Sequence, residues 1–344
     1  ALRMEHACAS SVPVHDNPGI TLGTVMGELA LRGINKVTFI MPPQLGALGL
    51  WLEQLLAEST GKEGTGLLPV AGETLGSPAD YGNDRLFIYF RLQNAIDDHQ
   101  EQGVLALQTI GHPLVMINMD DLFDIGQEFF RWEMATATAG AMLGINAFNQ
   151  PNVQESKDNT NHLLEQFAKT GHLPDEKPVV SEPPLSLYAK KRAETFTGTV
   201  QQFLDQGKAG EYLAILAYVT ENGENDQLLQ NLQSSLRDYS HLATTMGYGP
   251  RYLHSTGQFH KGGPKIGMFL LLTADTRKDI AIPGQPYSFR TLRQAQALGD
   301  FQALRQHGQQ VLRLDLGQDA HAGLTALQQI IQNIVAESRR GKAA

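Results

Sequence analysis

The feature that most constrains this chain is alternation: short apolar runs take turns with longer amphipathic stretches along its 344 residues. Short continuous apolar runs read as strands buried on both faces. Connections long enough to hold a helix join such strands in parallel. The first clear unit is KVTFIM at 36–41, followed by Pro42-Pro43 and LGALGLWLEQLLAES. In that stretch Leu48, Trp51, Leu52, Leu55 and Leu56 recur at i, i+3, i+4, i+7 and i+8, which predicts one apolar helical stripe turned toward the sheet. Runs at 67–70 and 85–90, a polar helix around 94–107, a strand at 113–119 and the helical run DLFDIGQEFFRWEMATATAGAMLG follow. The helix resumes after Pro151, whose missing N–H costs nothing in a first turn.

Residues 172–186, HLPDEKPVVSEPPLS, hold four prolines and few large apolar groups, so the main boundary is expected there. Alternation restarts with strands at 211–219, 266–274 and 311–316, and with helices at about 225–243, 289–306 and 320–338. The expected class is α/β: a parallel sheet flanked by helices in residues 1–171, a linker at 172–186, and a second βαβ-type region in 187–344.

With 27 basic and 36 acidic residues the net charge is -9, which argues against broad attraction to nucleic acid or anionic lipid. The single cysteine, Cys8, excludes an intrachain disulfide and a four-cysteine metal site. No apolar run approaches the ~20 residues that cross a bilayer. A cytoplasmic location with no nucleic-acid or membrane partner is therefore expected. The opening ALRMEHACASS lacks an initiator methionine and reads like the last turns of a helix, so the chain is expected to be a processed or excised piece of a longer one.

No dinucleotide glycine fingerprint, Walker lysine motif or serine-hydrolase elbow is present. In ESTGKEGTG, two readings stand: a surface turn, or a loop that displays Glu58, Ser59, Thr60 and Lys62 into a crevice at strand ends. YLHSTGQFHKGGPK at 252–265 gathers two histidines, the Ser255 and Thr256 hydroxyls, Gln258, Lys261 and Lys265 among three glycines, in a segment that reads as too irregular for a helix. Such a loop can offer donors and bases to an anionic or polyhydroxylated ligand, or be a polar surface loop. Gln154 and Lys157 at i, i+3, with Glu155 beside them, are either a solvated helix face or a place where a lysine meets an oxygen anion. His112 reads as a strand-edge residue, and Trp132 and Phe129 as core or interface residues rather than a sugar-stacking platform.

ESTGK together with NAFNQPNVQESK resembles the glucose-6-phosphate isomerase family, most closely the isomerase half of bacterial transaldolase and glucose-6-phosphate isomerase fusions. The resemblance implies a sugar-isomerase-type (SIS) parallel sheet and makes Glu58 the base that moves a proton between sugar carbons. It makes Lys157 the active-site lysine. The family's ring-opening histidine normally follows the glutamate by some twenty to thirty residues, where this chain reads PADYGNDRLFIYFRL and has none. YLHSTGQ instead resembles the bacterial segment DLHS-x-GQ, which makes His254 the counterpart and His260 its rival. Substrate contacts are expected from Ser59, Thr60, Lys62, Gln154, Ser255, Thr256, Gln258 and His260. The implied chemistry needs no cofactor and no metal, and the implied ligand is a phosphorylated hexose. The family's earlier domain, source of most phosphate ligands, has no counterpart in these residues, so homo-oligomerisation or association with that missing part is expected. The competing expectation is a sugar-phosphate-binding or assembly module inactive by itself.

Overall fold

The computed structural model describes residues 1–174, 176–190, 192–276 and 278–343, and side chains at all of these except Val153 and 341–343. They form two compact units, one made of Ala1–Asn152 with His254–Pro264, the other of Val153–Leu253 with Lys265 onward.

In the first unit α1 (Leu2–Ala7) and α2 (Pro18–Leu31) precede β1 (Lys36–Ile40), α3 (Gly46–Thr60), β2 (Leu68–Val70), β3 (Arg85–Leu92), α4 (Asp98–Thr109), β4 (Leu114–Met119) and α5 (Ile125–Met142). Among the described residues the sheet order is β2-β1-β3-β4, parallel throughout. The continuous apolar run of β3 is explained by two covered faces. Leu86, Ile88 and Phe90 join the core of α2, α3 and α5, whereas Phe87 and Tyr89 meet Val104 and Leu107 of α4. Trp132 is fully buried in the larger core, edge-on to Phe39 at 5.6 Å and stacked with Phe90 at 6.1 Å, which makes it a packing residue.

Helix α2 is not signalled by the sequence reading, which begins its first unit at Lys36. Its three glycines, Gly19, Gly23 and Gly27, lower helix propensity but fall on one face at i, i+4 spacing. A Cβ at Gly23 would lie 2.4 Å from the Ala135 carbonyl oxygen, so the stripe is what lets α5 approach. Asn17 caps the helix by accepting from Ile20 N–H at 3.0 Å.

The second unit runs α6 (Val153–Thr170), β5 (Val180–Glu182), β6 (Leu185–Tyr188), α7 (Phe196–Leu204), β7 (Tyr212–Tyr218), α8 (Gly223–Ser240) and β8 (Ala243–Tyr248). After an excursion through α9 (Gly257–Gly262), which belongs to the first unit, it resumes with β9 (Gly267–Thr273), α10 (Phe289–Gln306), β10 (Gln310–Asp315) and α11 (Ala320–Ala343). The order among described residues is β5-β6-β10-β9-β7-β8; β7 to β10 are parallel, and β5 and β6 form an antiparallel edge. Leu213, Ile215 and Ala217 of β7 enter a core with α7, α8 and α11.

The α/β class with a helix-flanked parallel sheet and a second sheet is as expected, but the partition differs from 1–171 and 187–344. Helix α6 packs along α10 and so groups with the second unit, which moves the division to 152/153. The proline-rich 172–186 stretch is not simply a linker: it contributes β5 at a sheet edge, where strands tolerate nearby proline. Strand β8 follows directly on the helix expected at about 225–243 and is not among the expected strands. The segment 252–265, read as too irregular for a helix, contains the 3-10 turn Arg251–His254 and α9.

Candidate functional site

Helix α3 begins just after the carboxyl end of β1 and ends just before β2, so it runs back against the strand direction. Its last turn, with Glu58 and Ser59, therefore lies at the amino-terminal edge of the sheet. That is opposite the carboxyl edge where open α/β sheets usually bind ligands. Leu48, Leu52 and Leu56 are buried as the stripe predicts, but Trp51 and Leu55 from the flank of that stripe line a cleft. The cleft measures about 470 Å³ and is walled by Trp51, Gln54, Leu55, Glu58 and Ser59 on one side and by Ala147, Phe148, Asn149 and Gln150 on the other. This volume lies in the range of about 300–1,000 Å³ typical of small-molecule sites. Glu58 is partly buried and accepts a hydrogen bond from Gln54 Nε2 at 3.1 Å. Trp51 and Phe129 meet edge to face at 4.7 Å beside it.

The two walls are tied together by Lys62. Its ammonium is fully buried and donates to Asn146 O at 2.9 Å, to Asn149 Oδ1 at 3.1 Å and to the Asn149 carbonyl. Burial lowers its pKa, and the negative charges of Glu58 and Glu63 oppose that shift. Lys62 is thus engaged in holding the 146–149 loop. The Thr60 hydroxyl donates to Leu56 O at 2.6 Å and accepts from Leu67 N–H at 2.9 Å.

The segment 254–264 docks on the same unit. Gln258 is fully buried; its amide donates to Gly61 O at 2.8 Å and Asn152 Oδ1 at 2.9 Å while accepting from Asn152 N–H at 2.9 Å. Ser255 donates to Glu53 Oε1 at 3.3 Å, and Gly64 N–H donates to Gly262 O at 3.0 Å. The stretches ESTGK, NQPN and HSTGQ therefore converge within one unit, although 202 residues separate Glu53 from Ser255. Ser255, Thr256, Gln258 and His260 are buried, and His254 is exposed. For Ser255 and Gln258 the observed hydrogen bonds hold segments together rather than present donors to a ligand.

Gln154 and Lys157 belong to the second unit, both exposed on the first turns of α6, and Gln154 Nε2 donates to Asp158 Oδ1 at 2.8 Å. His112 is buried just before the edge strand β4, with its pKa lowered by burial. The sequence reading missed Trp51, Gln54, Phe148, Asn149 and Gln150 as cleft residues. Their signal lay inside the quoted motifs, in WLEQLLAES and NAFNQ. Among the described residues no group of three or more His, Cys, Asp or Glu side chains gathers in a way that could hold a metal ion, and no helix is long and apolar enough to cross a membrane.

No protein-family model matches the chain. A glucose-6-phosphate isomerase of Parabacteroides distasonis is 28% identical over 202 aligned residues, covering 48% of this chain and 45% of that protein. One of Lactobacillus helveticus is 29% identical over 188 residues, covering 44% and 42%. A solved structure of a hypothetical protein from Thermus thermophilus covers 96% of this chain and 85% of its own at 11% identity and a TM-score of 0.36, too low to carry an argument. The chain thus matches under half the length of these curated relatives, and over about half of its own length it is similar to the glucose-6-phosphate isomerases.

Proposed function

We propose that this chain serves the aldose–ketose isomerisation of glucose 6-phosphate and fructose 6-phosphate. The observation that carries the reading is that Glu58 lines a cleft whose opposite wall is Asn149-Gln150, so two separately recognised motifs supply its two sides. In the proposed reaction the sugar ring opens and the Glu58 carboxylate takes the hydrogen from C2. The C–H electron pair becomes the C1–C2 double bond of a cis-enediolate as the carbonyl oxygen gains negative charge. Return of the proton to C1, with the C2 hydroxyl giving up its proton as it closes to a carbonyl and the C1 oxygen gaining one to become a hydroxyl, completes the exchange. The base must come within ~3 Å of the transferred hydrogen. His254 is assigned to ring opening and Lys157 to the developing oxyanion by motif resemblance. Ser59 beside Glu58 is the hydroxyl best placed for a sugar contact.

Catalysis predicts that incubating the chain with fructose 6-phosphate in deuterated water places deuterium on the sugar. Glu58→Gln should slow that exchange by about 10²–10⁴-fold, the usual weight of a general base. Exchange that continues unchanged in Glu58→Gln would overturn the assignment. One observation favours a second reading, a sugar-phosphate-binding module: the match covers only 45% and 42% of these relatives' own lengths. Fructose 6-phosphate binding without any exchange would support it.

A further inference from the structure

Asp300, on α10, is fully buried. A carboxyl group in that position is costly unless both oxygens are engaged. Here each oxygen accepts from a different hydroxyl: Oδ1 from Ser156 at 3.1 Å and Oδ2 from Tyr252 at 2.6 Å. Tyr252 is itself fully buried, edge-on to Tyr218 at 5.8 Å. Ser156 lies on α6 immediately before Lys157. The surrounding contact is close: a Cβ at Gly299 would come within 3.0 Å of Thr160 Oγ1, and Asn159 Nδ2 donates to Gly299 O at 3.4 Å. Next to Ser156 on α6, Glu155 Oε2 meets His307 Nε2, just past the end of α10, at 2.6 Å.

We infer that Asp300 is a positioning residue for Lys157: by gripping Ser156 it fixes the rotation of α6 about its axis and so the direction in which Lys157 leaves the helix. Consecutive helical residues project about 100° apart, so holding the Ser156 side chain against α10 sends its neighbour toward solvent, where Lys157 is found. An apolar residue at 300 would pack against α6 without choosing this rotation. An Oδ1 held in place by the Tyr252 bond to Oδ2 does choose it, because the Ser156 hydroxyl on α6 must reach that oxygen. The inference rests on the reading in which Lys157 meets the phosphorylated sugar.

The test is a double-mutant cycle on the full chain, with fructose 6-phosphate binding followed by titration calorimetry. Ser156→Ala should weaken binding roughly fivefold, the weight of one neutral hydrogen bond. It should change binding by less than about twofold when Lys157 is already Met, since the effect acts through that side chain. If Ser156→Ala melts early, Asp300→Asn, which keeps the side-chain shape, gives the same cycle. Wild-type affinity in Ser156→Ala, or the same loss with and without Lys157, would overturn the positioning role. Lys157→Met binding as tightly as the wild type, or no binding by the wild type, would instead overturn the underlying assignment of Lys157.

Discussion

Glu128 is a carboxyl group whose charge state near neutral pH is set by the fold. It is fully buried on α5, with Arg131 at 3.3 Å, and burial outweighs that cation to raise its pKa from 4.5 to about 7. Between those values the folded chain holds a proton that the unfolded chain has lost. Stability from this group is therefore complete below about pH 4.5 and falls as pH rises to about 7. The displacement corresponds to roughly 3 kcal/mol at most. His112, its pKa lowered by burial, acts in the opposite sense, so a single profile mixes the two. Urea unfolding from pH 4 to 8 should show Glu128→Gln gaining stability over the wild type as pH rises, with the gap opening between pH 5 and 7. A gap that is constant across the range would show that Glu128 does not titrate there. At the same scale, Lys62 shows why site roles are hard to read from a motif alone. ESTGK reads as a set of ligand donors, yet the lysine's hydrogen bonds go to the backbone and side chain of a loop more than eighty residues away.

Among elements, those legible in the sequence are the ones whose own pattern decides their fate. The stripe of α3 and the unbroken apolar runs of β1, β3, β7 and β9 could hardly sit anywhere but against or within a sheet. The others were decided by partners. Helix α2 depends on α5 accepting its glycine face, and β5 depends on β6. The packing of α9 on α3 depends on a close backbone approach between Gly61 and Phe259 that no local pattern announces. A Cβ at Gly61 would stand 2.4 Å from Phe259 Cα and 2.7 Å from Ala57 O, both backbone atoms that cannot swing aside. Gly61→Ala should therefore cost about 1–3 kcal/mol or more in urea unfolding, as overpacking does. Ala substitution at Gly64, where a Cβ meets nothing within 4 Å, should show only the smaller penalty of its positive φ of 78°. Equal losses at the two positions would mean that the α3–α9 contact is not tight in solution.

For the whole molecule, the consequence of this topology is that the first unit is discontinuous in sequence: residues 1–152 are completed by 254–264, which arrive after most of the second unit. The insertion supplies Phe259 and Gln258, both fully buried, and Gln258 links Gly61 to Asn152. Without it the end of α3 would expose apolar surface, and the backbone groups at 61 and 152 would lose their partners. Closing so long a loop costs little more entropy than closing one of moderate length, because the cost grows only as the logarithm of length. The contact can therefore be stabilising despite its separation, and a reading built on neighbouring residues has no access to it. A fragment of residues 1–152 should melt at a temperature at least about 2 °C below the same fragment joined through a glycine-serine linker to 254–264, the shift expected for a loss of roughly 1 kcal/mol or more in a domain this size. Replacing Gln258 with Ala in the joined form should remove part of that gain, since it deletes the side chain that bridges the two stretches. Circular dichroism melts of the three forms decide the matter: coincident curves would mean that 254–264 only rests on a unit already complete, and the convergence of the HSTGQ segment with the Glu58 cleft would then lose its structural basis.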